Sequence, residues 1–227
     1  MRAMRISAVV SGALGVLLLV LVTVGWSPLL SFDREVSDAL HRHAAAHPGF
    51  TQVNRILTDW VWDPWTMRAL TLLAVVWLLR RGERLLALWI TGATLLAWLL
   101  QQGLKTAVGR GRPQWPDPVD SAPYAAFPSG HAMTAAVACG LLLWVLALRW
   151  KEGWRGWGTL AGAAVVSVLG VGWTRVYLGV HWTSDVLAGW LFGWCCAAVT
   201  IITYRLVAAD GPPAAEPGAG SRMEGTR

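Results

Sequence analysis

Three short polar stretches interrupt an apolar chain, and their residue types suggest one chemistry. The first, KTAVGRGRP, carries Lys105, Arg110 and Arg112 ahead of Pro113. Arg112 can grip two phosphate oxygens in a fork, and Lys105 offers a point charge, although an ordinary basic loop would read the same. Arg110 is an extra cation without an assignment. The second stretch is FPSGH, Phe127 to His131. Pro128 fixes a backbone angle, Gly130 permits an approach that a side chain would block, and Ser129 can cap the helix that follows. Free N–H groups at such a terminus form an anion site, and the same residues also suit a plain N-cap. His131 makes the cap less ordinary, because an imidazole titrating near 6.5 suits proton transfer.

The third stretch, TRVYLGVHWTSD, places Arg175, His181 and Asp185 at intervals of six and four. If the chain is helical from His181, that last interval puts His181 and Asp185 on one face. A carboxylate accepting one ring N–H would then leave the other nitrogen free to attack. A polar connection with an N-cap at Asp185 is the plainer alternative. Taken together, cations and backbone N–H groups call for an anion with several oxygens. A histidine nucleophile backed by a carboxylate, with a second histidine as acid, is what phosphoester cleavage requires.

The elements that must hold these residues are membrane helices. The 227-residue chain is 55% hydrophobic and only 14% charged, against about 25% in soluble domains. Its 16 tryptophans suit membrane–water boundaries. The net charge of +6 could indicate nucleic acid, but the basic residues sit in short loops between apolar runs, which excludes that partner. Cys139, Cys195 and Cys196 lie inside oily segments, with neither a disulfide framework nor metal-ligand spacing.

Six runs have the length and composition of spans: Ile6–Trp26, Trp65–Leu79, Leu85–Leu100, His131–Leu148, Gly158–Trp173 and Val186–Tyr204. The first lacks a small-x-small cleavage site and reads as an uncleaved span. Alternating spans place Arg2, Arg5, Arg80, Arg81, Arg84, Arg149, Lys151, Arg155 and Arg205 on one side. The positive-inside rule makes that side cytoplasmic, with both termini inside. The opposite side receives 27–64, 101–130 and 174–185, hence all three polar stretches. Charges near a bilayer centre cost about 2.5–3.5 kcal/mol each, so intramembrane ions are functional candidates. The segment Ser31–Asp63 predicts one or two amphipathic helices at the interface. Within it His41, His43 and His47 lack convincing metal-ligand companions and read as a solvated basic face. Residues 1–207 form one membrane domain, and the Pro/Gly/Ala-rich 208–227 predict a disordered cytoplasmic tail.

The motifs resemble the signature of the type-2 phosphatidic acid phosphatase family, relatives of the vanadium haloperoxidases. K-x6-R-P stands at Lys105, Arg112 and Pro113, P-S-G-H at Pro128 to His131, and S-R-x5-H-x3-D at Thr174, Arg175, His181 and Asp185. Threonine replaces the usual serine and keeps the hydroxyl. The resemblance implies a helical bundle; with the spans and the charge distribution above, the expectation is an all-α integral membrane bundle of about six transmembrane helices, with the active site at the extracytoplasmic face of the plasma (inner) membrane. It also implies metal-independent, cofactor-free hydrolysis of a lipid phosphate or pyrophosphate. In the implied roles Lys105, Arg112 and Arg175 hold phosphoryl oxygens with help from Ser129 and Gly130. His181 forms a phosphohistidine, Asp185 orients it, and His131 protonates the leaving group. Undecaprenyl pyrophosphate, phosphatidic acid, phosphatidylglycerophosphate and diacylglycerol pyrophosphate all suit such a pocket, and an outward-facing site favours a carrier pyrophosphate. The alternatives are a lipid phosphotransferase using the same site, separable by an acceptor-dependent product, and a non-catalytic transporter or scaffold. Internal symmetry with broken spans would mark a transporter, and none is visible.

Overall fold

A computed structural model describes residues 1–149 and 156–209, and every described regular element is helical. They are α1 (Arg2–Thr23), α2 (Ser27–Ala46), α3 (Pro48–Ile56), a π-helical turn (Leu57–Val61), α4 (Pro64–Arg80), α5 (Arg84–Val108), α6 (Gly130–Arg149), α7 (Trp157–Tyr177) and α8 (Thr183–Ala209). Five of them, α1, α5, α6, α7 and α8, are long and apolar enough to cross a membrane. At 17 residues, or roughly 25 Å, α4 sits at the short end of the spanning range. Many large side chains point outward, among them Leu72, Leu73, Leu88, Leu96 and Val166. An apolar surface of that extent needs lipid against it, so the chain is an integral membrane protein.

Close approach of α6 and α8 organises the bundle. A Cβ at Gly189 would fall 2.7 Å from the Ser129 carbonyl oxygen, and one at Gly193 2.7 Å from that of Met133. These two small residues, one turn apart, let α8 lie against the backbone of α6, as membrane helices do where lipid supplies no hydrophobic drive. On its other side α8 receives α1 through the buried small residues Ala8, Ser11 and Gly15. The core between them gathers Leu86, Ile90, Phe127, Met133, Leu141, Trp144 and Phe192.

Three spans run further than their hydropathy indicates. α5 continues through Val108, so Lys105 stands on its last turn rather than in the following segment. α7 continues through Tyr177 and carries Arg175, and α8 begins at Thr183 with Asp185 in its first turn. Polar groups are tolerated there because the helix ends face one another and not lipid. The tail expected from 208 overlaps the end of α8; 210–227 lie outside the described residues, as do Lys151 and Arg155.

The segment ahead of α4 forms α2, α3 and the π turn, which lie over the end of the bundle where α7 and α8 meet. Of the expected solvated histidine face, His43 and His47 are exposed and His41 is not. His41 is buried and stacked on Trp115, ring centroids 4.1 Å apart, with Nε2 3.2 Å from Asp117. Nδ1 of His43 lies 3.1 Å from the Tyr177 hydroxyl. These rings pack α2 against the 113–119 segment and α7, a tertiary use that spacing alone does not reveal.

Candidate active site

The C-terminal ends of α5 and α7 and the N-terminal ends of α6 and α8 converge at one end of the bundle. Between them opens a cavity of about 480 Å³, lined by Lys105, Arg112, Gly130, His131, Arg175 and His181. Asp63, Arg68, Gln101 and Tyr124 complete parts of its wall. The three polar stretches thus meet, although up to 80 residues of sequence separate Lys105 from Asp185.

His181 is buried in the turn between α7 and α8, outside both helices. It does not share a helix face with Asp185, contrary to the four-residue reading. Gly179, at φ +67°, reverses the chain after α7 and brings the imidazole back over the first turn of α8. Nδ1 of His181 then lies 3.4 Å from Oδ2 of Asp185. The same carboxylate oxygen accepts the Trp182 N–H at 3.0 Å, one half of a capping box at the start of α8. On the other side of the ring, Nε2 sits 3.1 Å from a terminal nitrogen of Arg112.

Those two neighbours select one tautomer. A guanidinium only donates, so Nε2 must accept, and an ionised carboxylate only accepts, so Nδ1 carries the proton. The lone pair therefore lies on the nitrogen that faces the cationic side of the cavity. Burial, followed by the charges of Arg112, Arg175 and Lys105, holds the His181 pKa well below 6.5 and keeps the ring neutral.

The cations are held differently. Arg112 donates to the carbonyls of Pro123, Tyr124 and Val180 at 3.0, 2.9 and 2.5 Å, which fixes its plane. Lys105 donates to the Ala125 carbonyl at 2.5 Å. Arg175 is buried, 3.3 Å from the Thr58 hydroxyl on the π turn and 3.9 Å from Asp120. Its Nε–H is buried without a hydrogen-bond partner. An orphaned guanidinium donor beside a cavity is costly unless an anion meets it.

His131 lines the cavity from the first turn of α6. A Cβ on Gly130 would come 2.7 Å from Nε2 of Gln101, so the glycine lets the start of α6 close onto α5. Ser129 is fully buried and stands behind the wall. Its Oγ is 3.5 Å from the Ala132 N–H and its own N–H donates to the Asp185 carbonyl at 2.9 Å, which locks the starts of α6 and α8 together.

Four residues that motif reasoning leaves without a role stand beside this constellation. Arg110 donates to Oδ1 of Asp185 at 2.6 Å, to Ser184 Oγ at 2.7 Å and to Oδ2 of Asp33 at 2.7 Å. Asp33 also accepts from the Ser184 N–H and hydroxyl, at 2.9 and 2.5 Å. Thr58 holds Arg175, and Arg68 adds a fourth cation to the wall. The one sequence hint was Arg110, a cation on a side where the positive-inside rule disfavours it.

Comparison with known proteins bears on the family and the fold. The model of the PAP2 superfamily matches residues 86–208, more than half of the chain. The chain is 38% identical over 68 residues to an undecaprenyl-diphosphatase of Sulfolobus acidocaldarius, covering 30% of this chain and 28% of that one. It is 37% identical over 97 residues to phosphatidylglycerophosphatase B of Bacillus subtilis, covering 42% and 46%. A lipid A 1-phosphatase of Rhizobium etli is 30% identical over 156 residues, covering 60% and 62%. The matches thus span less than two thirds of each of these relatives. The crystal structure of a transmembrane PAP2-type phosphatidylglycerolphosphate phosphatase from Bacillus subtilis superposes with a TM-score of 0.78 at 22% identity, over 88% of this chain and 97% of that one, and shares the fold.

Proposed function

The chain belongs to the PAP2 superfamily, and from that premise we propose that it hydrolyses a lipid phosphate or lipid pyrophosphate through a phosphohistidine. One observation carries the reading: His181, with Nδ1 against Asp185 and Nε2 against Arg112, lines a cavity walled by Lys105, Arg112, Arg175 and a second histidine. The names of the three relatives, all hydrolases of lipid phosphates or diphosphates, support it.

In this mechanism Lys105, Arg112 and Arg175 neutralise the phosphoryl oxygens, with the first N–H groups of α6 assisting at Gly130. Phosphoryl transfer needs positioning and charge stabilisation above all, which fixed cations supply. Arg112 shifts its N–H from Nε2 of His181 to a phosphoryl oxygen, which frees the lone pair. Nε2 attacks phosphorus, the bond to the leaving oxygen breaks, and that oxygen takes its electron pair and a proton from His131. Water then attacks the phosphohistidine and gives a proton to His131. The P–N bond breaks with its electrons returning to Nε2, and inorganic phosphate departs. Asp185 holds the Nδ1 proton throughout. Ser129 serves this scheme as a buried brace for the α6 terminus.

The end of the bundle opposite the cavity carries Arg80, Arg81, Arg84, Arg149 and Arg205. By the positive-inside rule that end is cytoplasmic, both termini lie inside, and the cavity opens on the extracytoplasmic face of the inner membrane.

The test is purified protein assayed on a panel of lipid phosphates with excess chelator, with acid-quench trapping of phosphoenzyme. Turnover should persist in chelator, and His181→Ala should abolish both turnover and phosphoenzyme. Phosphoenzyme persisting in His181→Ala, or activity restored only by an added divalent ion, would overturn the proposal.

A further inference from the structure

Behind His181 lies a buried cluster of which the motifs include only Asp185. Two carboxylates, Asp33 and Asp185, share the single guanidinium of Arg110 at 2.7 and 2.6 Å. Their side chains are 1% and 0% exposed, and that of Arg110 is 10% exposed. Ser184 bridges the group, donating its N–H and hydroxyl to Asp33 and accepting from Arg110. The Arg110 guanidinium also lies over the Trp182 ring, 5.5 Å from its centroid. Asp33 comes from α2, 151 residues earlier in the chain than Ser184.

Only Asp185 reaches the imidazole. A lone Asp185–Arg110 pair would be electrically neutral, and its cation would cancel much of the field that a carboxylate exerts on His181. Asp33 changes that balance. With two carboxylates on one guanidinium, the cluster keeps one net negative charge while each buried ion stays hydrogen-bonded, which is the condition for burying charge without a large penalty. The imidazole gains positive character as Nε2 bonds to phosphorus. A net negative cluster against Nδ1 stabilises that change, in a dry setting where charge acts strongly.

We propose that Asp33 and Arg110 are positioning residues for the phosphatase reaction: Arg110 orients Asp185, and Asp33 restores the negative charge that lets Asp185 support His181. The amphipathic helix α2 is thereby an electrostatic part of the site. This inference rests on the phosphatase reading above.

A double-mutant cycle tests it on the full-length protein in detergent, with an aryl phosphate and a lipid phosphate. In Asp33→Asn, kcat should fall about 10- to 100-fold, less than the ~10⁴-fold that altering a base-orienting carboxylate itself can cost. KM should stay within about twofold, because neither residue touches substrate. The factor should be the same for both substrates, since the effect lies on the nucleophile and not on the leaving group. In an Asp185→Asn background the same Asp33→Asn change should cost almost nothing, because its route to His181 is already cut. Asp33→Asn losses that multiply with those of Asp185→Asn would make Asp33 a structural clamp and overturn the proposal, as would an unchanged kcat. If Asp33→Asn is not recovered folded, the cycle is run with Ser184→Ala, which removes only the bridging hydroxyl. A several-fold loss of kcat that vanishes in Asp185→Asn supports the proposal, and an equal loss in both backgrounds, or none, overturns it. Wild-type protein inactive on every phosphate would sink the phosphatase reading and this inference with it. An active wild type with a multiplicative cycle would sink the inference alone.

Discussion

At the scale of single residues, the two histidines should separate by leaving group and by pH. His131 has a proton to give only where the departing oxygen needs one, so His131→Ala should lose about 10²–10⁴-fold on an alkyl phosphate. With an activated aryl phosphate the loss should be much smaller. Equal losses on both substrates would remove His131 from the acid role. Protonation of His181 would destroy its lone pair, but burial and the nearby cations place that event well below pH 6.5. The acid limb of kcat/KM should therefore lie below 6.5, once the second ionisation of the substrate, near 6, is allowed for. A limb at 6.5 or above that is absent from the substrate's own titration would contradict the neutral, preformed nucleophile. Lys105, Arg112, His131, Arg175, His181 and Asp185 were all legible in sequence because their spacing is local to three stretches. Asp33 was not. An aspartate on an amphipathic helix looks like any solvated charge until the fold brings Arg110 to it, and no local pattern encodes a partner 77 residues away.

At the scale of elements, the spans were readable but their ends were not. Hydropathy falls wherever a charge enters, so apolar runs alone end short of Lys105 in α5, Arg175 in α7 and Asp185 in α8. The backbone instead stays helical until Gly109 ends α5, at φ +59°. Carrying the charges on helix ends makes them more rigid than loop residues, which suits a reaction that depends on fixed cations. The α6–α8 crossing supplies the rigidity, and it has a specific weak point. Gly189→Val would drive a branched side chain into the Ser129 carbonyl, 2.7 Å from where its Cβ must sit. Overpacking of this kind costs about 1–3 kcal/mol, and each kcal/mol lowers the melting midpoint by roughly 2–4 °C in a chain of this size. Because Ser129 directly precedes Gly130 and His131, the shift should reach the cavity as well. A thermal melt and kcat measured on one preparation should fall together. An unchanged midpoint would mean that the two helices have room the geometry does not allow.

At the scale of the whole molecule, cations are divided between the two ends of the bundle for different reasons. Arg149 pairs with Glu83 at one end, near the junction of α4 and α5. At the other end Arg175 and Arg110 are largely buried and Arg112 is half-buried, engaged by carboxylates, carbonyls and the cavity, where they cannot act as free topological signals. The proposed sidedness therefore rests on the cations of the first end alone, and it can be measured. Ser121 is exposed on the segment beside the cavity, next to Ala122 and Pro123 of the wall. The native Cys139, Cys195 and Cys196 all lie within α6 and α8 and are only partly exposed, so they should react slowly with a charged reagent. Ser121→Cys should then be labelled in intact cells by a membrane-impermeant thiol reagent. A cysteine replacing Arg81, on the turn between α4 and α5, should be labelled only after permeabilisation. Both variants should first be shown to retain phosphatase activity, so that labelling reports the working orientation. The reverse pattern in active protein would put the cavity in the cytoplasm. Lipid phosphates would then have to reach it from the inner leaflet, and the argument for a substrate processed outside the cell would fall.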